Sequence, residues 1–249
     1  MAELVNVFWT SGLDSTCRIV ELASAEGFKV QPWYLLEKSR RSSGIETEHI
    51  KKMTGLIRGN PATRSELLDT EIVDVDDIRI PEDISGCYGQ IARCYLIGSQ
   101  YEWISAFLND RNMVAQIAAE APRTGIVTAL LGEGRLVREG DGVGAVLRPD
   151  PASLTEKGRI LFRNYALPYG IWNMFKLDEA AEMKTLGYGD VFDLTWFCHR
   201  PVFGMPCGHC NPCKDAIRDG FGYRIPAAGR LLYPLDRFFR HSIHVLNDR

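Results

Sequence analysis

The stretch Glu3-Leu4-Val5-Asn6-Val7-Phe8-Trp9, followed at once by Thr10-Ser11-Gly12-Leu13-Asp14-Ser15-Thr16, decides the fold. Its first half is a β-prone run with apolar side chains on both faces, the pattern of a central parallel strand covered on two sides. Its second half consists mainly of turn formers and hydroxyl residues. After it, Ile19, Val20, Leu22 and Ala23 oppose Arg18, Glu21 and Glu26, an amphipathic helix that ends at Gly27. A second strand is expected over 28–36, where Pro32 cannot donate to a ladder and signals a bulge or irregular pairing. Ile50, Met53 and Ile57 fall at helical spacing and place a helix over 43–58; residues 71–75 form a third strand. Strand, helix, strand, helix, strand with connections of this length predicts an α/β fold, a doubly wound parallel sheet covered on both faces.

Beyond residue 76 the pattern predicts a helix over 95–108, a strand over 113–118 and a further strand over 159–163. Residues 132–158, rich in Gly, Pro and charge, are expected to form a long functional or mobile loop. Leu177, Ala180 and Ala181 mark a late helix closed by Gly187. The chain divides into an α/β domain over 1–190 and a cysteine-rich element over 191–249 packed on it.

With 249 residues, 45% hydrophobic and 24% charged, the composition is globular and excludes disordered, collagen-like and coiled-coil classes. Twenty-nine basic against 32 acidic residues give −3, which does not support a general nucleic-acid or membrane-surface binder. No apolar run approaches the roughly 18 to 20 residues of a membrane span. The opening Met1-Ala2-Glu3 lacks the layout of a signal peptide, so a soluble, cytoplasmic protein is expected. The segment 214–249 has a mild basic excess, usually just a solvated face and otherwise a hint of an anionic partner.

Two constellations carry chemistry. A strand that feeds a Ser/Gly loop into a helix presents backbone N–H groups and the positive end of the helix dipole, which favours an anion. Gly12 admits close approach of a phosphate, and Ser11, Ser15 and Thr16 offer hydroxyl donors. Asp14 repels phosphates unless Mg²⁺ lies between, or it caps the helix; on spacing alone, a plain capped turn accounts for the loop equally well.

The second constellation is Cys198-x8-Cys207-x2-Cys210-x2-Cys213, four thiolates spaced to close a tetrahedral Zn²⁺ site with no open position, hence a structural one. His209 lies within the cluster as a substitute ligand that four cysteines make unnecessary; His49, His199, His241 and His244 read as surface or capping residues. Cys17, Cys87 and Cys94 read as small buried hydrophobes.

Thr10 to Thr16 resembles the Ser-Gly-Gly-x-Asp-Ser loop of the PP-loop ATP pyrophosphatases. Leu194-Thr195-Trp196-Phe197-Cys198 with Cys207-Gly208-His209-Cys210-Asn211-Pro212-Cys213 resembles the zinc element of one branch, the 7-cyano-7-deazaguanine synthases, and Lys176 stands where that branch has a lysine before its helix. The resemblance covers about 4–58 and 166–220. It implies an ATP-dependent ligase that adenylates the carboxylate of a 7-deazaguanine-type acid and captures it with ammonia, giving an amide or a nitrile. It implies ATP, Mg²⁺ and Zn²⁺, with Thr10, Ser11, Gly12, Leu13, Asp14, Ser15 and Thr16 binding ATP and Asp14, Ser15 and Lys176 catalytic. It also implies a homodimer, for which Leu231, Leu232, Tyr233, Phe238 and Phe239 offer a contact. Ser11 replaces the first glycine of the family loop, which is tolerable where position 11 keeps a non-positive φ.

The middle departs from the family, reading Gly98-Ser99-Gln100-Tyr101 and Leu131-Gly132-Glu133-Gly134-Arg135 where base-binding elements are expected. Gln100 and Glu133 are therefore candidate substrate contacts, and Arg40, Arg41 and Arg135 candidate clamps for a carboxylate. Two alternatives remain: transfer of the activated acyl group to another amine, and a non-catalytic zinc-ribbon interaction protein.

Overall fold

The computed structural model describes residues 2–119 and 125–230. The expected start is present: β1 (Glu3–Phe8), α1 (Leu13–Ser24), β2 (Phe28–Leu36), α2 (Ser43–Gly59), then two short strands, β3 (Glu66–Leu67) and β4 (Glu71–Asp74). α3 (Glu82–Tyr95), α4 (Gln100–Asp110), β5 (Ala115–Gln116), α5 (Gly125–Glu133), β6 (Leu136–Glu139), β7 (Val146–Pro149), α6 (Glu156–Phe162) and β8 (Tyr165–Pro168) follow. The described chain closes with α7 (Tyr169–Trp172), α8 (Lys176–Thr185), α9 (Gly189–Asp193) and α10 (Asn211–Arg218).

The strands form one sheet in the order β3-β2-β1-β5-β8-β7-β6, with β4 pairing β2 beyond β3. β1, β2, β3, β4, β5 and β8 run parallel, whereas β6 and β7 pair antiparallel, so the sheet is mixed rather than wholly parallel. Strand order reverses at β1. The chain first builds outward through β2 to β4, then returns to add β5 on the other side of β1.

Pairing between β1 and β2 is regular through Pro32, which faces Val7 in the register. Leu68 N–H donates to Val30 O at 2.9 Å, so even-numbered residues of β2 turn their backbone polar groups toward β3 and β4. The missing donor of Pro32 thus falls in the gap between Val30 opposite Leu67 and Trp33 opposite Glu71. The irregularity signalled by the proline is this break between two short partners.

Three expectations are corrected. Residues 159–163 lie in α6 and its cap rather than a strand, because Thr155 Oγ1 accepts the Gly158 N–H at 3.0 Å and starts a helix whose apolar run looks strand-like. Residues 132–158 are not a loop: they contain the β6–β7 hairpin and the entry to α6. The helix expected over 95–108 begins at Gln100, separated by the left-handed Leu96 from α3, which the pattern missed.

Two apolar cores sandwich the sheet. Val5, Val7 and Trp9 with Val30 and Tyr34 face one, filled by α1, α2, α8, α9 and α10; Phe8 and Leu35 face the other, filled by α3, α4, α5 and α6. Cys198, Cys207 and Cys213 belong to the first core, so the cysteine-rich element shares the core that α1 fills rather than standing apart. Inside the sandwich, Arg18 Nε donates to Gln116 Oε1 at 2.6 Å and its Nη1 to Glu21 Oε2 at 2.9 Å, tying α1 to β5 across the reversal. Burial lowers the Arg18 pKa and raises that of Glu21, each opposed by the other's charge. No described helix is long and apolar enough to cross a membrane.

Candidate functional site

At the carboxyl end of β1 the chain turns through Thr10, Ser11 and Gly12 into α1. Gly12 is the N-cap and brings no capping side chain, and Thr16 N–H is the first to find an intrahelical acceptor, Gly12 O at 3.0 Å. The N–H groups of the first turn therefore face outward with the positive end of the dipole, as an anion requires. Ser15 Oγ braces the loop, bonding to Thr10 N–H at 3.3 Å and to Gly12 O at 3.3 Å.

Ser11 does not keep a non-positive φ: it sits at +58°, in the left-handed region that favours glycine. Its side chain is fully buried, and its Oγ has no hydrogen-bond partner among the described residues. Thr16 is equally buried, and its hydroxyl accepts the Trp9 indole N–H at 2.9 Å, so it anchors the loop from beneath instead of facing outward.

α8 packs against α1 and begins with Lys176, whose Nζ ion-pairs with Asp14 Oδ1 and lies 3.8 Å from Glu179 Oε2. Glu179 is completely buried. One ammonium thus bridges two carboxylates brought from 162 and 3 residues away.

A third segment closes the site. Trp196 N–H donates to Ser11 O at 2.8 Å, and Trp196 Nε1–H to Cys198 O at 2.7 Å. Arg224 Nη1 holds Thr195 Oγ1 at 2.8 Å, and its guanidinium lies over Phe192 and Phe197. Burial lowers its pKa. Together the loop, Lys176, Trp196 and Phe197 line a cavity of about 320 Å³, which also takes in Arg40, His199 and Arg224.

Beside the cavity, Cys198, Cys207, Cys210 and Cys213 bring their Sγ atoms within 4.8 Å of one another. Cys207 and Cys213 Sγ are 3.8 Å apart, Cys198 and Cys210 3.9 Å. A tetrahedron with Zn–S bonds of about 2.3 Å has edges of about 3.8 Å, so the donor set fits zinc. Backbone N–H groups of Cys207 and Cys210 reach Cys198 Sγ at 3.3 Å and Cys207 Sγ at 3.4 Å, an outer shell suited to thiolates. Hydrogen bonding to Cys210 pushes the Cys198 thiol up and hydrogen bonding to Cys198 pushes the Cys213 thiol up as well, while Cys210 is held down. Four sulfurs so crowded ionise together only around a cation. His209 Nδ1 instead meets Cys207 O at 3.1 Å, and His49 Nδ1 meets Leu194 O at 2.6 Å.

Other candidates lie elsewhere. Glu133 is buried against Thr155 at the start of α6, Arg135 pairs with Asp150 at 3.1 Å, and Arg41 is exposed; none of these, nor Gln100, lines the cavity. Arg40 does, paired with Glu37 at 3.1 Å. Cys17, Cys87 and Cys94 are free thiols, of which only Cys17 is fully buried. His241, His244 and the apolar residues 231–233, 238 and 239 lie outside the described residues. Sequence reasoning missed Glu179, whose signal is its i,i+3 spacing from Lys176, and Arg224, which has none. Compared with known proteins, the chain matches no family model and no curated sequence.

Proposed function

We propose that this chain is an ATP-dependent ligase on a doubly wound PP-loop fold, which adenylates the carboxylate of a 7-deazaguanine-type acid and captures it with ammonia. The observation that carries the proposal is the meeting of Lys176 with Asp14 at the glycine-capped start of α1. It lies where the strand order reverses, the place where open α/β sheets take their ligands. The lysine is delivered to the loop from 162 residues away, and an ammonium beside first-turn N–H groups adds to their attraction for an anion.

In this reading the first-turn N–H groups and the Ser15 hydroxyl hold the β- and γ-phosphates, the future pyrophosphate. Asp14 would hold Mg²⁺, which supplies charge neutralisation on those phosphates when bound. Lys176 turns from Asp14 to the phosphate oxygens and keeps its second carboxylate, Glu179. The acid lies against the Trp196 and Phe197 rings, stacked at 6.4 Å, and its oxygen attacks the α-phosphate as pyrophosphate leaves. Ammonia then displaces AMP from the acyl-adenylate. The protein's share is positioning and electrostatics, with no covalent group of its own.

ATP–pyrophosphate exchange dependent on 7-carboxy-7-deazaguanine tests the first half. The mass of the product formed with ammonium separates amide or nitrile from a conjugate with another amine. Absence of exchange with every acid offered would remove the enzyme and leave a zinc-ribbon interaction protein.

A further inference from the structure

The metal site and the anion loop are physically joined, and the joint runs through one residue. Trp196 reaches Cys198 O through its indole N–H at 2.7 Å and Ser11 O through its backbone N–H at 2.8 Å. Ser11 is the strained member of the loop, at φ +58°. A trans peptide points its C=O and N–H in opposite directions, so anchoring Ser11 O on Trp196 aims the Gly12 N–H away from Trp196 N. Gly12 lines the cavity, and a Cβ there would stand 3.3 Å from Thr10 Oγ1, so the glycine leaves the floor of the loop open beside the Ser11–Gly12 peptide.

We infer that Trp196 is a positioning residue, a strut through which the closed four-cysteine site holds Ser11 left-handed and keeps the Gly12 N–H presented to the anion. Two opposed effects of similar size meet in this loop. The left-handed conformation is unfavourable for serine, and a single hydrogen bond enforces it. When the strut slackens, Ser11 relaxes to negative φ, the Ser11–Gly12 peptide rotates and the donor turns away. The loop equilibrium then shifts by about tenfold, the scale of one ordinary hydrogen bond. The zinc element thereby acts on ligand affinity and not on stability alone. The adenylation reading enters only in naming the anion.

Trp196→Phe tests the strut, since it keeps an aromatic ring beside His49 and removes the indole donor. Wild type, Trp196→Phe, Ser11→Gly and the double variant are compared with zinc bound, reading metal content, the Gly12 amide resonance and Mg·ATP affinity by calorimetry without acid. The expected result is one zinc in each, a Gly12 resonance displaced by Trp196→Phe, and Mg·ATP bound about tenfold more weakly. Both changes should largely vanish in the Ser11→Gly background, where the left-handed conformation is free of penalty. An unmoved Gly12 resonance, or equal effects in both backgrounds, overturns the strut. If wild type ignores Mg·ATP while the resonance still responds, the strut stands and the adenylation reading falls. Should Trp196→Phe fail to fold, Trp196→Tyr with zinc bound, in the wild-type and the Ser11→Gly backgrounds, makes the same comparison. Equal displacement of Gly12 in both then overturns the inference.

Discussion

Ser11→Gly should make the protein more stable, although it deletes a fully buried side chain. The left-handed backbone at φ +58° costs a serine about 1 to 2 kcal/mol, a penalty that glycine escapes. Among the described residues the buried Oγ finds no hydrogen-bond partner, and such a hydroxyl costs about 1 to 3 kcal/mol. Against these gains stand about 0.8 kcal/mol for the lost carbon's burial and about 0.4 to 1 kcal/mol for the added freedom of the unfolded chain. The balance favours the variant by about 2 kcal/mol at the middle of these ranges. For a chain of 249 residues that raises the melting temperature by about 2 to 4 °C per kcal/mol. Urea unfolding of zinc-loaded protein checks it: the midpoint should rise while the m-value stays constant. A midpoint equal to or below wild type would refute the reasoning, because either the strain or the orphaned hydroxyl would then be absent in solution.

Metal analysis of protein purified without chelator should find one zinc per chain. Cys210→Ser should lose it together with most of the soluble protein, because Cys198, Cys207 and Cys213 are built into the core that holds α1. Asp14→Asn should fold normally yet lower ATP–pyrophosphate exchange by about a hundredfold or more, since it removes the carboxylate that meets Lys176; exchange at the wild-type rate would sink its assigned role. In zinc-loaded native protein a thiol reagent should modify Cys94 first, Cys87 slowly and Cys17 only on unfolding. Burial pushes the Cys17 thiol far up and leaves no thiolate to react, whereas Cys94 is exposed. Peptide mass mapping reads the order, and rapid labelling of Cys17 would contradict it.

The parallel half of the fold was legible because residues 3–75 alternate strand and helix with strong local signals: a two-sided apolar strand, a glycine stop, and Ile50, Met53 and Ile57 at one spacing. The other half failed where one local pattern fits two structures. Ile160, Leu161 and Phe162 make an apolar run too short to separate a buried strand from a buried helix, and the deciding group is Thr155, a cap rather than a hydrophobe. The β6–β7 hairpin hid among charges because Val137, Arg138 and Glu139 form an exposed strand whose partner is chosen by the sheet and not by its own composition.

For the site, sequence spacing could place the four sulfurs, since the pairs are local: Cys207 and Cys210 bracket one turn, and Cys213 lies on the helix that follows. It could not place the contacts that make three segments one cavity. Lys176 reaching Asp14, and Trp196 reaching Ser11, are meetings across the sheet edge that no periodicity encodes. Ser11 shows the limit most clearly. As a residue type it argued for an ordinary φ; its left-handed conformation follows from a tertiary hydrogen bond supplied 185 residues later in the chain, by the segment that leads into the first cysteine. The loop and the cysteine element are therefore a single device, and the departure from glycine at position 11 is intelligible only when both are considered together: serine here needs an outside hand to hold it, and Trp196 is placed to be that hand.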